Sequence, residues 1–281
     1  MNHNEQEAYT VSGKSFTAAA VSIASKAGEY VKSQLGQSFE WKLKSNPHDL
    51  VTEVDKGAEA LIRKLIRTYF PAHHVLGEEG VEAGEAGLKQ AFEEIKDKEY
   101  VWIVDPIDGT SNFVHGLPLF TISIALTHRG EVIVGVVYDP ARDELFVAEK
   151  GKGAYVHGRK MSVSNDATLN DSLLATGFAP EREQSLPGIL DNLSRIVPKV
   201  RNVRVLGSAA LQLAYVAAGR FSGCWHVRLN AWDVAAGVLL VQEAGGRVTD
   251  IEGNTYELEA RSVVATNGRI HDELMADLIA K

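Results

Sequence analysis

The stretch that most constrains this chain is VWIVDPIDGTSNFVHG, residues 101–116. Val101 to Val104 have the length and apolar character of a buried strand. They pass with no polar spacer into Asp105-Pro106-Ile107-Asp108, which the sequence pattern predicts to be a tight, proline-containing turn at the strand end. Carboxylates three residues apart against apolar sequence repel one another, and burial sharpens the repulsion. A pair so placed either protonates or holds a cation.

Other acids sit in similar surroundings. Glu78 and Glu79 follow the short apolar approach His74-Val75-Leu76, and Asp233 falls on the first turn of a helix after Trp232. Each alone has an ordinary explanation: a solvated pair, or a helix-start residue favoured by the helix dipole. Their joint occurrence changes the reading. All are hard oxygen donors and Cys224 is the single cysteine, so the set favours Mg²⁺ over Zn²⁺ and excludes a thiolate cluster or an internal disulfide. The main-chain carbonyl of Ile107 can add a further oxygen. Gly109-Thr110-Ser111 follows at once: glycine lets backbone approach a ligand, and successive N–H groups with two hydroxyls can grip phosphate oxygens. Cation on one side and N–H donors on the other describe a site for a phosphate ester.

The rest of the chain bounds this reading. With 281 residues there is length for one large domain or two packed subdomains. A formal net charge of −8 argues against a nucleic-acid-binding face. The polar start, MNHNEQEAYTVSGK, has no apolar signal segment, and apolar runs such as VIVGVV (132–137) are too short to span a bilayer, so a cytoplasmic protein without membrane contact is expected. Residues 1–12 are expected to fray.

Apolar spacing predicts a helix from Phe16 to near Gly36, a loop over KSNPHDLV (44–51), and a second helix opened by the capping box Thr52-Glu53-Val54-Asp55 and ended by Pro71. Residues 81–99 are charged, helical or loop. Strands are expected at 101–104, 120–126, 131–139 and 144–150, giving an α+β half with an antiparallel sheet. Beyond it, strands near 172–178, 203–206, 221–227, 247–249 and 262–265 alternate with helices at 186–197, 209–219, 232–244 and from about 269, an α/β pattern. The division expected is 1–160 and 161–281, the second part completing the site with Asp233. His73-His74 reads as a surface loop, His115 as a local packing or capping residue, Trp225 as core, and Cys224 as a small buried apolar residue.

With these residues in view, DPIDGTSNFVHG strongly resembles the signature of the inositol monophosphatase family of Mg²⁺-dependent, lithium-sensitive phosphatases. NAWDVAAGVLLVQEAGG (230–246) resembles its second motif, and KSNPHDLVTEVD (44–55), LGEEG (76–80), GSAAL (207–211) and VVATNGRIH (263–271) resemble lesser ones, in order, over almost the whole chain from about residue 15. The resemblance implies a layered αβαβα sandwich, usually a homodimer, acting on a small phosphorylated substrate with two or three Mg²⁺ ions. It implies that Glu78, Asp105 and the Ile107 carbonyl hold an activating ion, that Asp105, Asp108 and Asp233 hold a second, and that Glu78 helps with a weaker third. Gly109, Thr110 and Ser111 would bind phosphate. Asp55, paired with Thr110 and assisted by Glu78, would orient or deprotonate the attacking water, with no phosphoenzyme. Lys44 would approach the site on a loop, and Gly207, Ser208 and Ala209 would line the alcohol portion.

One departure bears on substrate. His226 stands where animal and enterobacterial members of the family carry a glutamate that contacts inositol hydroxyls, and Arg228 follows two residues on. That weakens the case for myo-inositol and leaves fructose 1,6-bisphosphate, NADP or other polyol and sugar phosphates open. A non-catalytic regulatory protein on the same fold is the alternative of another class; the retention of Glu78, Asp105, Asp108, Thr110 and Asp233 argues against it.

Overall fold

The structure, a computed structural model, describes residues 15–37, 40–44, 48–180 and 182–279. The fraying expected at residues 1–12 lies outside the described residues. The first predicted helix is α1 (Phe16–Gln34), opened by Ser15, whose Oγ accepts the Ala18 N–H. The predicted loop over 44–51 connects the two strands of a short hairpin, β1 (Trp41–Leu43) against β2 (Leu50–Thr52), and its last two residues belong to β2; Ser45, Asn46 and Pro47 lie outside the described residues. Sequence patterning missed β1 because three residues are too few to show a period, and the strand is exposed throughout. The expected capping box is present at the start of α2 (Glu53–Tyr69): Thr52 Oγ1 accepts from Val54 and Asp55 N–H, and Asp55 Oδ2 accepts the Thr52 N–H at 2.8 Å.

A seven-stranded sheet follows in simple order: β3 (His74–Gly77), β4 (Tyr100–Asp108), β5 (Thr121–His128), β6 (Glu131–Asp139), β7 (Glu144–Glu149), β8 (Gly153–Val156) and β9 (Arg159–Lys160). It is antiparallel as expected except at its edge. There β3 runs parallel to β4, because the chain returns between them through α3 (Glu85–Ile95), the helical part of the charged segment.

The second sheet has five strands in the order β11 (Asn202–Val205), β10 (Leu173–Thr176), β12 (Gly223–Val227), β14 (Ser262–Thr266) and β13 (Arg247–Thr249). β10 is parallel to both neighbours, and β14 is antiparallel to both of its own. The remaining helices are α4 (Thr110–Val114), α5 (Arg182–Ile196), α6 (Ala209–Ala217), α7 (Ala231–Glu243) and α8 (His271–Ile279). Gly245, at φ +88, follows the end of α7 in the left-handed conformation that glycine takes at helix C-termini.

Strand alternation sorts these elements into five layers. On β4, Trp102 and Val104 face α1 and α2 with Ile23, Ile62 and Ile66, whereas Val101 and Ile103 face the opposite way, toward α6 and α7. On the second sheet Cys224, Val263 and Ala265 face α6 and α7, whereas Trp225 and Val264 pack with Ile196, Leu274 and Leu278 of α5 and α8. The result is the αβαβα sandwich, with α6 and α7 as its middle layer. Trp225 and Cys224 are core, as expected. The middle helices lie very close to the first sheet. A Cβ on Gly135 of β6 would stand 2.7 Å from the Ala236 carbonyl oxygen of α7, a contact with rigid backbone. Among the described residues no helix is long and apolar enough to cross a membrane.

His73 departs from expectation: it is not a surface-loop residue. It stacks between Phe70 and Tyr100, with ring centroids 4.7 and 4.6 Å away, and accepts the Trp102 Nε1–H at 3.0 Å. Burial lowers its pKa to about 4, with neighbouring His74 adding to the effect. His271, buried between the hydroxyls of Thr249 and Thr266, is likewise lowered to about 4, first by burial and then by Arg247.

Two outcomes are expected. Gly135→Val should force α7 off the sheet and lower unfolding free energy by about 1–3 kcal/mol, read as a lower urea midpoint at unchanged slope. The histidines remain neutral in the folded chain below the pH at which the unfolded chain protonates them, so their contribution is full above about pH 6.5 and is lost as pH falls toward 4. Buried acids shifted upward act in the opposite sense, so the test is a difference: His73→Phe should show a smaller fall in Tm between pH 6.5 and 4 than the parent.

Candidate active site

The proline-containing turn expected after Val104 is not a turn. Strand β4 continues through Asp108, and Asp105 pairs with Ser123 while Asp108 pairs with Thr121. Pro106 and Ile107 therefore oppose Ile122 alone: a one-residue bulge, a place where proline's missing N–H is tolerated. The bulge reverses the alternation. Ile107 turns to the α1–α2 side, packing with Val31, Val54 and Phe113, and Asp108 turns to the middle layer with Asp105. In a regular strand residues three apart point to opposite faces. Here the extra residue puts both carboxylates on one.

Asp108 reaches the beginning of α6. Its Oδ2 accepts from Ser208 Oγ at 2.6 Å and from Ala210 N–H at 2.6 Å, and its Oδ1 from Ala209 N–H at 3.3 Å. Ser208 also caps the helix by accepting the Leu211 N–H. Burial raises the Asp108 pKa to about 6, and these three bonds oppose it. Asp105, 1% exposed, accepts only the nearby Ile107 N–H, at 2.9 Å, among the hydrogen bonds of the described residues. Its pKa is driven well above the ordinary range by burial and then by the charges of Glu78, Asp108 and Asp233. Asp233, partly buried on the first turn of α7, accepts the Asn230 N–H at 2.7 Å. It is shifted the same way by burial, Glu78 and Asp108.

Glu78 and Glu79 form a single 3₁₀ turn after β3. Lys44 Nζ lies 2.7 Å from Glu78 Oε1 and 2.6 Å from Glu79 Oε1. Burial pulls the Lys44 ammonium down, but the two carboxylates outweigh it and its pKa is raised. Burial lifts Glu79 to about 7 despite Lys44. The turn is held from below by Glu59, whose Oε2 accepts the Glu79 N–H and whose Oε1 pairs with Arg63 at 2.7 Å. Sequence reading overlooked Glu59 and Arg63, which look like an ordinary i,i+4 surface pair on α2.

Gly109 begins α4 at φ +100, and a Cβ there would stand 2.9 Å from the Leu119 carbonyl oxygen and 3.1 Å from that of Gly207. Asn112 fastens this approach, donating through Nδ2 to the carbonyls of Leu119 and Leu206, both at 2.7 Å. Thr110 Oγ1 lies 3.0 Å from both Asp55 Oδ1 and the Ile107 carbonyl, which share its one proton. Asp55, 1% exposed, has its pKa raised by burial against the bonds from Thr52 and Thr110. His115 caps locally as expected, its Nδ1 2.8 Å from the Ser111 carbonyl.

These parts meet in a cavity of about 330 Å³. Glu78, Asp105, Ile107, Asp108, Gly109, Thr110, Ser111, Gly207, Ser208, Ala209, His226, Arg228 and Asp233 all line it. Asp55 borders it through Thr110, and Lys44 through Glu78. His226 is buried, lowered to about 4 by burial, and sits against Gly177. Arg228 is partly buried, at φ +57. Gln212 lines the cavity too, and sequence reading passed over it.

Among the described residues no three His, Cys, Asp or Glu side chains are drawn into a finished metal cage. The oxygens are engaged by the protein's own donors: Lys44, Ser208 and backbone N–H groups. The donor set nevertheless fits hard divalent cations. It is all oxygen, it is largely buried, its carboxylates repel one another, and Lys44 is the only cation bonded to it among the described residues.

The comparisons with known proteins agree with the geometry. The family model described as "Inositol monophosphatase family" matches residues 13–281. The inositol-1-monophosphatase of Rhizobium meliloti (strain 1021) is 43% identical over 249 residues, 87% of this chain and 89% of that one. A Thermotoga maritima protein named fructose-1,6-bisphosphatase/inositol-1-monophosphatase is 38% identical over 256 residues, 91% of this chain and 93% of that one. The crystal structure of extragenic suppressor protein suhB from Bartonella henselae superimposes with a TM-score of 0.84 at 38% identity, covering 93% of this chain and 97% of that one. With its layers, its bulged aspartate strand and its matched motifs, this chain belongs to the inositol monophosphatase family.

Proposed function

We propose that this chain is a Mg²⁺-dependent phosphomonoesterase acting on inositol 1-phosphate or a related polyol or sugar phosphate. The observation that carries the reading is the meeting of acids from three separate stretches, Glu78, Asp105 with Asp108, and Asp233, beside Gly109-Thr110-Ser111 in one cavity. Glu78, Asp105, the Ile107 carbonyl, Asp108 and Asp233 are the residues to hold the ions. When bound there, divalent ions would supply Lewis acidity toward the phosphate oxygens and the attacking water.

The chain's own groups divide the remaining work. The backbone N–H groups of Gly109 to Ser111 grip the phosphoryl oxygens, and the Thr110 hydroxyl, whose proton goes to Asp55 or the Ile107 carbonyl, is left as an acceptor beside them. Asp55, 3.0 Å from Thr110 Oγ1, holds that hydroxyl in place; the hydroxyl can accept the proton of the attacking water while passing its own to Asp55, with Glu78 assisting from the cavity wall. Gly207, Ser208 and Ala209 line the alcohol portion, with His226 and Arg228 beside them. Lys44 neutralises Glu78 and Glu79 and must yield as cations enter. The two large sheets support a division near residues 160–161, since β3 to β9, ending at Lys160, form one and the strands from Leu173 form the other. We extend the proposal to a cytoplasmic, lithium-sensitive homodimer, on the strength of the family resemblance.

A second reading, a bisphosphatase, is favoured by Arg228 in the cavity wall and by the Thermotoga relative's double name. Phosphate release from inositol 1-phosphate, fructose 1,6-bisphosphate and NADP, with and without Mg²⁺, separates the two; no release from any overturns both. Asp105→Asn should reduce release by more than about a hundredfold. Its Tm in EDTA should equal or exceed the parent's, because the amide keeps the Ile107 bond and removes a buried charge. Mg²⁺ should raise the parent's Tm by preferential binding to the folded state, and this rise should vanish in Asp105→Asn. Full activity in that variant refutes the ligand assignment.

A further inference from the structure

Resting on the phosphatase reading, we propose that Gln212 is a specificity-determining residue, whose side-chain amide reads hydroxyl groups on the uncharged alcohol half of the phosphate ester. Gln212 sits one turn into α6 from Ser208, and its N–H donates to the Ser208 carbonyl at 3.3 Å. Its neighbours on the helix, Ala210, Leu211, Leu213 and Ala214, are buried apolar residues that fill the middle layer. A leucine would serve that purpose at 212. The chain has a glutamine instead, 0% exposed.

Neither Gln212 Oε1 nor Nε2 has a hydrogen-bond partner among the described residues. A primary amide offers two donors and an acceptor, and native interiors leave few such groups unsatisfied. Gln212 is among the residues lining the same cavity as Gly207, Ser208 and Ala209, the stretch one turn earlier on the alcohol side. From the opposite sheet His226 reaches this cavity, also buried, with its Nε2 unpartnered. Burial keeps that imidazole neutral at pH 7. Two uncharged groups, together presenting donors and acceptors to one cavity, match a ligand that both gives and takes hydrogen bonds without carrying charge. Hydroxyl groups of a polyol do so; a second phosphate does not.

The test uses the full chain with saturating Mg²⁺ and two esters: inositol 1-phosphate, rich in hydroxyls, and p-nitrophenyl phosphate, which has none on its alcohol half. Gln212→Met keeps the length of the side chain and removes its hydrogen bonding. The expected result is a KM for inositol 1-phosphate that rises about tenfold more than the KM for p-nitrophenyl phosphate. Substrate-free Tm should be equal or higher, because two unpartnered buried atoms are gone. An unchanged KM ratio overturns the proposal, as does a lowered Tm with both esters weakened alike, which would mark Gln212 as purely structural. Gln212→Glu, which loses the N–H donors, is read on the same ratio should the methionine variant fail to fold, and an unchanged ratio there is equally fatal. A parent chain that hydrolyses neither ester overturns the phosphatase reading itself, a result distinct from either of these.

Discussion

Mutual repulsion among carboxylates in a low-dielectric cavity is the constraint to which the rest of this structure answers. Asp105, Asp108 and Asp233 all have pKa values raised by burial and by one another's charge or that of Glu78. Left alone they would protonate or push apart. The fold restrains them with partial positive charge from several directions. The beginning of α6 faces Asp108, the first turn of α7 binds Asp233, and Lys44 faces Glu78. None of these devices neutralises Asp105 fully. The site is a strained arrangement that a cation relieves, which makes ion binding and structural integrity one question.

Such an arrangement needs stiff surroundings, and the five layers provide them. The two sheets grip α6 and α7 from either side, with interiors so tight that Gly135 meets Ala236 backbone. Both helices aim their first turns at the same cavity. The acids are therefore positioned by the packing of the whole middle layer, more than by local loop structure. Glu59 and Arg63 do the same for the Glu78 turn from α2.

Much of this was legible in the sequence. The run Val101–Val104, the Thr52–Asp55 box and the motif order led to the correct elements and to the lining of the cavity, because each is a local pattern with a local cause. What escaped was non-local. The bulge at Pro106-Ile107 shows only when β5 is laid beside β4; from one strand alone, proline reads as a stop. His73 looked like a loop residue because its partners, the stacked Phe70 and Tyr100 and the donor Trp102, come partly from a distant strand. Gln212 did leave a trace: it is the one residue in AALQLAYVA that is neither apolar nor aromatic. Sequence alone could not say whether it faced a cavity or a partner.

The bulge has an evolutionary corollary. Loop tips of this molecule can lengthen or shorten with little effect, since their ends stay where they are. Segment 105–108 has no such latitude. Drawn into regular pleating with Pro106 and Ile107 both kept, the strand would swing the second aspartate into the greasy layer against α1 and α2 and leave the α6 amides facing an alkyl group. Losing one of the two residues between the acids would keep both on one face but remove the bulge and the Ile107 carbonyl that Thr110 reaches, so in chains descending from this one bulge and spacing must change together or not at all.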